Sequence, residues 1–205
     1  MMENFTLSPM QLDALKELGN ISAGNAATAF SQMVNRKVDM DVPQVQFVPL
    51  DEVGTILGEN TVRVGLYQKI LGKATGSILI MISRSSAFEL IDLVAKRKDP
   101  RPRILTPVDE DLLKELANIL SGCYLTTLSQ MTGFLLMPSV PNIAVDVGRA
   151  IVDYLTQINP EMHVAFVIYN ELVIEQSSIM TNIFLFPNPN CLEIILKSLG
   201  LPQSK

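Results

Sequence analysis

The stretch Pro9-Met-Gln-Leu-Asp13-Ala-Leu-Lys-Glu17-Leu-Gly-Asn20-Ile-Ser-Ala-Gly24 returns 98 residues later as Pro107-Val-Asp-Glu-Asp111-Leu-Leu-Lys-Glu115-Leu-Ala-Asn118-Ile-Leu-Ser-Gly122. Without a gap, residues 9–43 lie over 107–141 with 15 of 35 positions identical, among them Thr28/Thr126, Ser31-Gln-Met33 over Ser129-Gln-Met131, and Val42-Pro43 over Val140-Pro141. Identity at this level marks a duplication, and a duplication fixes the architecture before any single element is read. The repeats run over about 8–98 and 106–200, within one domain spanning 1–205.

Each repeat opens with a signalled helix. Ser8-Pro9 and Thr106-Pro107 set an N-cap hydroxyl before a proline at N1, where the missing N–H costs nothing. Gln11 stands at N3 and completes a capping box; the shorter Asp109 is expected to do so less well. Leu12, Leu15, Leu18, Ser22, Ala26, Ala29 and Met33 recur at helical spacing, as do Leu113, Leu116, Leu120, Tyr124, Thr127 and Met131. Those stripes are expected to face the core.

After each helix the period falls from 3.6 to 2. Val38, Met40 and Val42 alternate with polar residues, and Val45 and Phe47 resume beyond Pro43, the pattern of an interrupted strand. Leu135-Leu-Met137 and then Ile143, Val145 and Val147 repeat this around Pro141. Further strands read at 61–70, 74–82, 162–170 and 177–186, with closing helices at about 84–97 and 189–199. Residues 148–158 read as a short extra helix without a counterpart in the first half, and the charged, proline-containing segment 99–103 reads as the linker. The expected fold is α+β, a helix–strands–helix unit used twice with pseudo-twofold symmetry about one shared, mostly antiparallel sheet flanked by helices.

Composition narrows the function. Of 205 residues, 48% are apolar and 18% charged, enough for a buried core. Mean hydropathy is +0.29, yet no apolar run is long enough to span a membrane. Net charge is −5 and pI about 4.9, which disfavours nucleic acid as a partner. Two cysteines and one histidine offer neither a disulfide framework nor a structural zinc site, and the first residues lack the pattern of a signal peptide. A mildly acidic, cytoplasmic globular protein is expected.

The residues opposite the core stripe carry the functional signal. Asp13, Glu17, Asn20, Gly24 and Thr28 share a narrow sector of the first helix, and Asp111, Glu115, Asn118, Gly122 and Thr126 repeat it. A single Glu–Asn pair on a helix is ordinarily a solvated face. Keeping all five types through two diverged copies points instead to a binding or catalytic surface. A mid-helix glycine costs about 1 kcal/mol against alanine, so something approaches the backbone there, either a partner or another element of this chain. A carboxamide cannot be a general base, but it can fix a water by hydrogen bonds, which suffices where positioning is the main requirement, as in phosphoryl transfer. His163 reads as structural or surface, Cys123 as a small buried or half-buried thiol, and Gly72-Lys-Ala-Thr-Gly76-Ser as a turn lacking phosphate-loop spacing.

The spaced pattern Asp-x3-Glu-x2-Asn-x22-Pro occurs as Asp13, Glu17, Asn20, Pro43 and as Asp111, Glu115, Asn118, Pro141. It resembles the signature of the CheC/CheX/FliY phosphatases of bacterial and archaeal chemotaxis, and the likeness covers nearly the whole chain. The resemblance implies hydrolysis of the aspartyl phosphate of CheY, with Asn20 and Asn118 positioning water and Glu17 and Glu115 pairing with a lysine of CheY. Asp13, Gly24, Pro43, Asp111, Gly122 and Pro141 take supporting roles. The resemblance further implies that CheY supplies the magnesium while this chain binds no metal of its own, and that CheD, a receptor-modifying deamidase, is a second partner. Ser22 and Leu120 depart from the glycine common at that position, and both point toward the core on a helical wheel. The alternatives are a module that sequesters phosphorylated CheY or regulates CheD without turnover, and a structural component of the flagellar switch.

Overall fold

A computed structural model describes residues 8–58, 60–97, 104–158, 160, 163–174, 177–188, 194–195 and 197. The first helix, α1 (Pro9–Val34), leads into β1 (Val38–Pro49) and a short α2 (Leu50–Leu57). The hairpin β2 (Val62–Gly72) and β3 (Gly76–Ser83) follows, then α3 (Arg84–Ala95). The second repeat runs α4 (Pro107–Thr132), β4 (Leu136–Pro138), β5 (Asn142–Val147), α5 (Gly148–Ile158), β6 (Val164–Ile174) and β7 (Ser177–Pro187). The linker at 99–103 and Cys191 lie outside the described residues, as does most of the closing helix expected at 189–199; Ile194, Ile195 and Lys197 within it are helical.

Among the described residues seven strands form one antiparallel sheet in the order β1-β6-β7-β3-β2-β4, with β5 also paired to β2. That order is its own mirror under exchange of the repeats, and each repeat's first strand is lent to the other. β1 pairs with β6 from Val38 opposite Ile174 to Pro49 opposite Val164, while β4 and β5 pair with β2. Proline at the same repeat position interrupts the edge strand both times. In β1 the register shifts between Asp41 and Gln44, around Pro43, and in the second copy Pro141 separates β4 from β5. A proline cannot donate to the ladder, so it sits where pairing breaks.

Strand alternation splits the core between the two faces. Val64, Leu66, Ile78, Ile80, Ile168 and Leu172 pack beneath α1, α3 and α4, whereas Leu79, Met81, Val167 and Phe184 pack against α2 and α5. The short α2 corrects the expectation that 148–158 has no counterpart: shifted by 98 residues, Leu50 falls on Gly148, the first residue of α5. Eight residues without a side-chain cap give α2 little local signal; Leu50, Val53 and Leu57 are held by burial against the sheet. His163 lies just before β6, exposed, and its carbonyl accepts the Leu50 N–H at 3.0 Å. The 72–76 segment is the β2–β3 turn, where Gly72 at φ 126 brings the chain so close to β4 that a Cβ would lie 2.1 Å from the Leu135 carbonyl.

The two long helices are anchored alike. Ser8 caps α1 in a complete capping box with Gln11. Asp109 completes the box on α4 as well: its carboxylate accepts from the Thr106 N–H at 3.0 Å, a longer bond than the 2.7 Å from the Ser8 N–H to Gln11, and also from the Thr106 hydroxyl at 2.8 Å and from Arg97 at 2.5 Å. Both helices end on a left-handed residue, Asn35 and its mate Gly133. Three residues before each helix ends, Ser31 and Ser129 accept the N–H of Val38 and Leu136 at 2.9 and 3.0 Å, clipping helix to strand. The buried stripe of α1 is turned slightly from the expected one. Gln11 is buried because it folds back on Ser8, so Leu12 is 36% exposed, while Ala29 and Met33 are half-buried; on α4, Met131 is half-buried too.

Candidate functional site

Asp13, Glu17, Asn20, Gly24 and Thr28 are all exposed on α1; Asp111, Glu115, Asn118 and Thr126 are exposed and Gly122 half-buried on α4. Burial of Leu15, Leu18, Ser22 and Ala26 against the sheet turns the repeated polar sector outward, and Leu113, Leu116, Leu120 and Tyr124 do the same for α4. Ser22 and Leu120 are buried, as the helical wheel predicts. The structure thus brings each motif together along one helix face, while Pro43 and Pro141 stand apart at the strand breaks.

A Cβ built at Gly24 or Gly122 meets nothing within 4 Å among the described residues. Packing by another described element of this chain is therefore not the reason for glycine there, which removes one of the two explanations left open by the sequence. Both helices present open backbone beside the carboxamide.

Among the described residues neither Asp13, Glu17 nor Glu115 is in an ion pair, whereas Asp111 lies 3.5 Å from Lys114. An unpaired carboxylate on an exposed helix is available to a cation brought by a partner. The two carboxamides differ. Asn118 Oδ1 accepts from Gln68 Nε2 at 3.0 Å, and Gln68 also donates to the Ser139 carbonyl at 2.6 Å while the Ser121 hydroxyl lies 2.7 Å from its Oε1. No hydrogen bond to the Asn20 side chain is present among the described residues. The sequence did signal Gln68: on β2 it shares the inward face with Val64, Leu66 and Ile70, an amide where the alternation calls for an apolar residue.

Elsewhere, Cys123 is half-buried and burial pushes its thiol up, in line with a structural thiol. His163 lines an open cleft of about 350 Å³ with Leu50, Asp51, Arg149 and Asp153, between α2 and α5 and off the Asn-bearing helices. No described helix is long and apolar enough to cross a membrane.

Fold and site together define a two-site protein that shows one carboxylate–carboxamide face twice. The sequence profile of the CheC-like family matches residues 10–46 and 109–145, the two stretches that carry those faces. The chain is 31% identical over 196 residues to the CheY-P phosphatase CheC of Bacillus subtilis, covering 93% of this chain and 94% of that protein. It is 32% identical over 127 residues to the flagellar motor switch phosphatase FliY of the same organism, covering 60% of this chain and 32% of FliY. The chain belongs to the CheC-like family. The crystal structure of Thermotoga maritima FliY superposes with a TM-score of 0.75 at 18% identity, over 95% of this chain and 98% of that one. The middle domain of Helicobacter pylori FliM gives 0.67 at 18% identity, over 94% and 99%. These two structural likenesses establish the shared fold.

Proposed function

We propose that this protein is a CheY-P phosphatase acting in the cytoplasm, hydrolysing the aspartyl phosphate of the response regulator CheY. The observation that carries this reading is the exposed Glu–Asn face, present twice, with open backbone at Gly24 and Gly122. Either helix can lie along the cleft of a phosphorylated regulator, and an absent Cβ lets the backbone come close. Glu17 or Glu115 pairs with a lysine at the regulator's active site and fixes the helix in register. Asn20 or Asn118, one turn on, then holds a water in line with the phosphoryl group. The water oxygen bonds to phosphorus as the bond to the aspartyl oxygen breaks; inorganic phosphate leaves and the aspartate is restored as a carboxylate. CheY brings the phosphorylated aspartate and the magnesium ion. An acyl phosphate is already a good leaving system, so positioning and charge placement are what the helix has to supply. CheD is the second partner in this reading, and its binding raises the phosphatase activity.

Asn20→Ala combined with Asn118→Ala should still bind CheY-P but hydrolyse it about 10²-fold more slowly or worse, the scale of losing one preorganised polar contact. Titration of the double variant with CheY held in its activated form measures the first, and phosphate release the second. Undiminished hydrolysis would remove the carboxamides from the mechanism. Slow decay even with the unaltered chain, alongside tight binding, would make the protein a sequestering module.

A further inference from the structure

The two Asn-bearing faces match from outside but rest on different floors. Met40 on β1 faces Leu172, and its repeat mate Pro138 faces Ile70, so Ile70 and Leu172 are equivalent and, two residues earlier, so are Gln68 and Asn170. Both are wholly buried. The Ser139 carbonyl can only accept, so Gln68 must turn its amide nitrogen that way, and its second hydrogen needs an acceptor. That acceptor is Asn118 Oδ1. The hold fixes which way the Asn118 carboxamide faces and leaves one oxygen lone pair and both N–H groups for a water.

Among the described residues nothing equivalent supports Asn20. Asn170 is one methylene shorter; its Oδ1 accepts from the Tyr124 hydroxyl and its amide donates to the Ile168 carbonyl at 3.1 Å. Ala23 stands where the second repeat has Ser121, and Gly19 where it has Ala117. The floor there is apolar, with Val42 so close beneath α1 that a Cβ on Gly19 would lie 3.2 Å from its Cγ1. Val42 is 6% exposed, whereas its mate Val140, beside the polar floor, is 81% exposed.

We infer that Gln68 is a positioning residue for Asn118, so that the α4 site is preorganised before the regulator arrives and the α1 site is ordered only on binding. The inference rests on the phosphatase reading for its consequence in rate, but the hold itself belongs to the unliganded chain. An exposed carboxamide without a fixed partner gives up rotamer freedom in the reacting complex; one already held does not.

The test uses the full chain in two backgrounds. With Asn20→Ala, leaving Asn118 as the one remaining water-positioning carboxamide, Gln68→Met is expected to lower kcat on CheY-P about tenfold with KM unchanged, since a misplaced water slows chemistry and leaves docking intact. With Asn118→Ala, the same Gln68→Met should leave the residual rate unaltered. An equal fall in both backgrounds, or none in the first, would overturn the assignment. NMR relaxation of the side-chain amides in the unaltered chain decides the matter without any variant: Asn118 should show the higher order parameter, and equal mobility of Asn118 and Asn20 would refute the hold. If the unaltered chain fails to accelerate CheY-P decay, the phosphatase reading falls, while the amide comparison still confirms or refutes the hold.

Discussion

Gly24 and Gly122 set stability against activity at single positions. Both lie inside long helices, where glycine costs about 1 kcal/mol relative to alanine, and both have room for a methyl group. Gly24→Ala and Gly122→Ala together should therefore raise the unfolding free energy by about 1–2 kcal/mol in urea titration. On the proposed mechanism they should also slow CheY-P hydrolysis, because each methyl stands where the regulator's surface must approach. A more stable and equally active double variant would mean that the glycines do not serve docking. At this scale the exposed motif was legible, because duplication preserved it while neighbours such as Asn25 and Cys123 diverged. Gln68 and Ser121 occur in only one repeat, so comparison of the copies passes over them, and only the polar break in the apolar alternation of β2 marks Gln68.

Elements depend on their ends, and α4 is tied at its start by a buried charge. Burial by itself would raise the Asp109 carboxyl, but hydrogen bonds from the Thr106 backbone and side chain and from Arg97, with the guanidinium's charge, more than offset this and hold it below its ordinary 3.8. A lowered folded-state value stabilises above the unfolded value, and that contribution fades as pH falls through the folded one. Asp109→Asn should thus cost about 1–3 kcal/mol at neutral pH, and the gap between variant and parent should narrow as the pH drops below about 4. Thermal melts at stepped pH measure both; a gap independent of pH would rule out the charge as its source. Thr106-Pro107 makes the start of α4 legible in the sequence, whereas the Arg97 contact to Asp109 is not, because Arg97 lies beyond the end of α3 and meets that carboxylate only once the chain is folded. Helix α2 is illegible in the sequence for a related reason. Its eight residues carry no side-chain cap and are held by tertiary contact with the sheet.

For the whole molecule, exchange of first strands makes the repeats interdependent: β1 has its pairing partner β6 in the second repeat, and β2 has β4 and β5 there too. A proteolytic cut between residues 97 and 104 should leave two fragments that co-elute under native conditions and part only in denaturant; separation without denaturant would contradict the shared sheet. Pseudo-twofold symmetry and the antiparallel sheet followed from the repeat and from period-2 alternation, but the exchange did not, because an alternation pattern names a strand's faces and not its neighbours. That exchange places Gln68 of the first repeat beneath Asn118 of the second, joining one repeat's floor to the other's face. In the proposed mechanism two exposed carboxamides turn over CheY-P. The most direct test is the decay of phosphorylated CheY with the chain at substoichiometric amounts, beside the variant lacking both Asn20 and Asn118. The expected result is many CheY-P molecules hydrolysed per chain, with that acceleration lost in the variant; decay at the intrinsic rate with the unaltered chain, or equal acceleration by both, would overturn the mechanism.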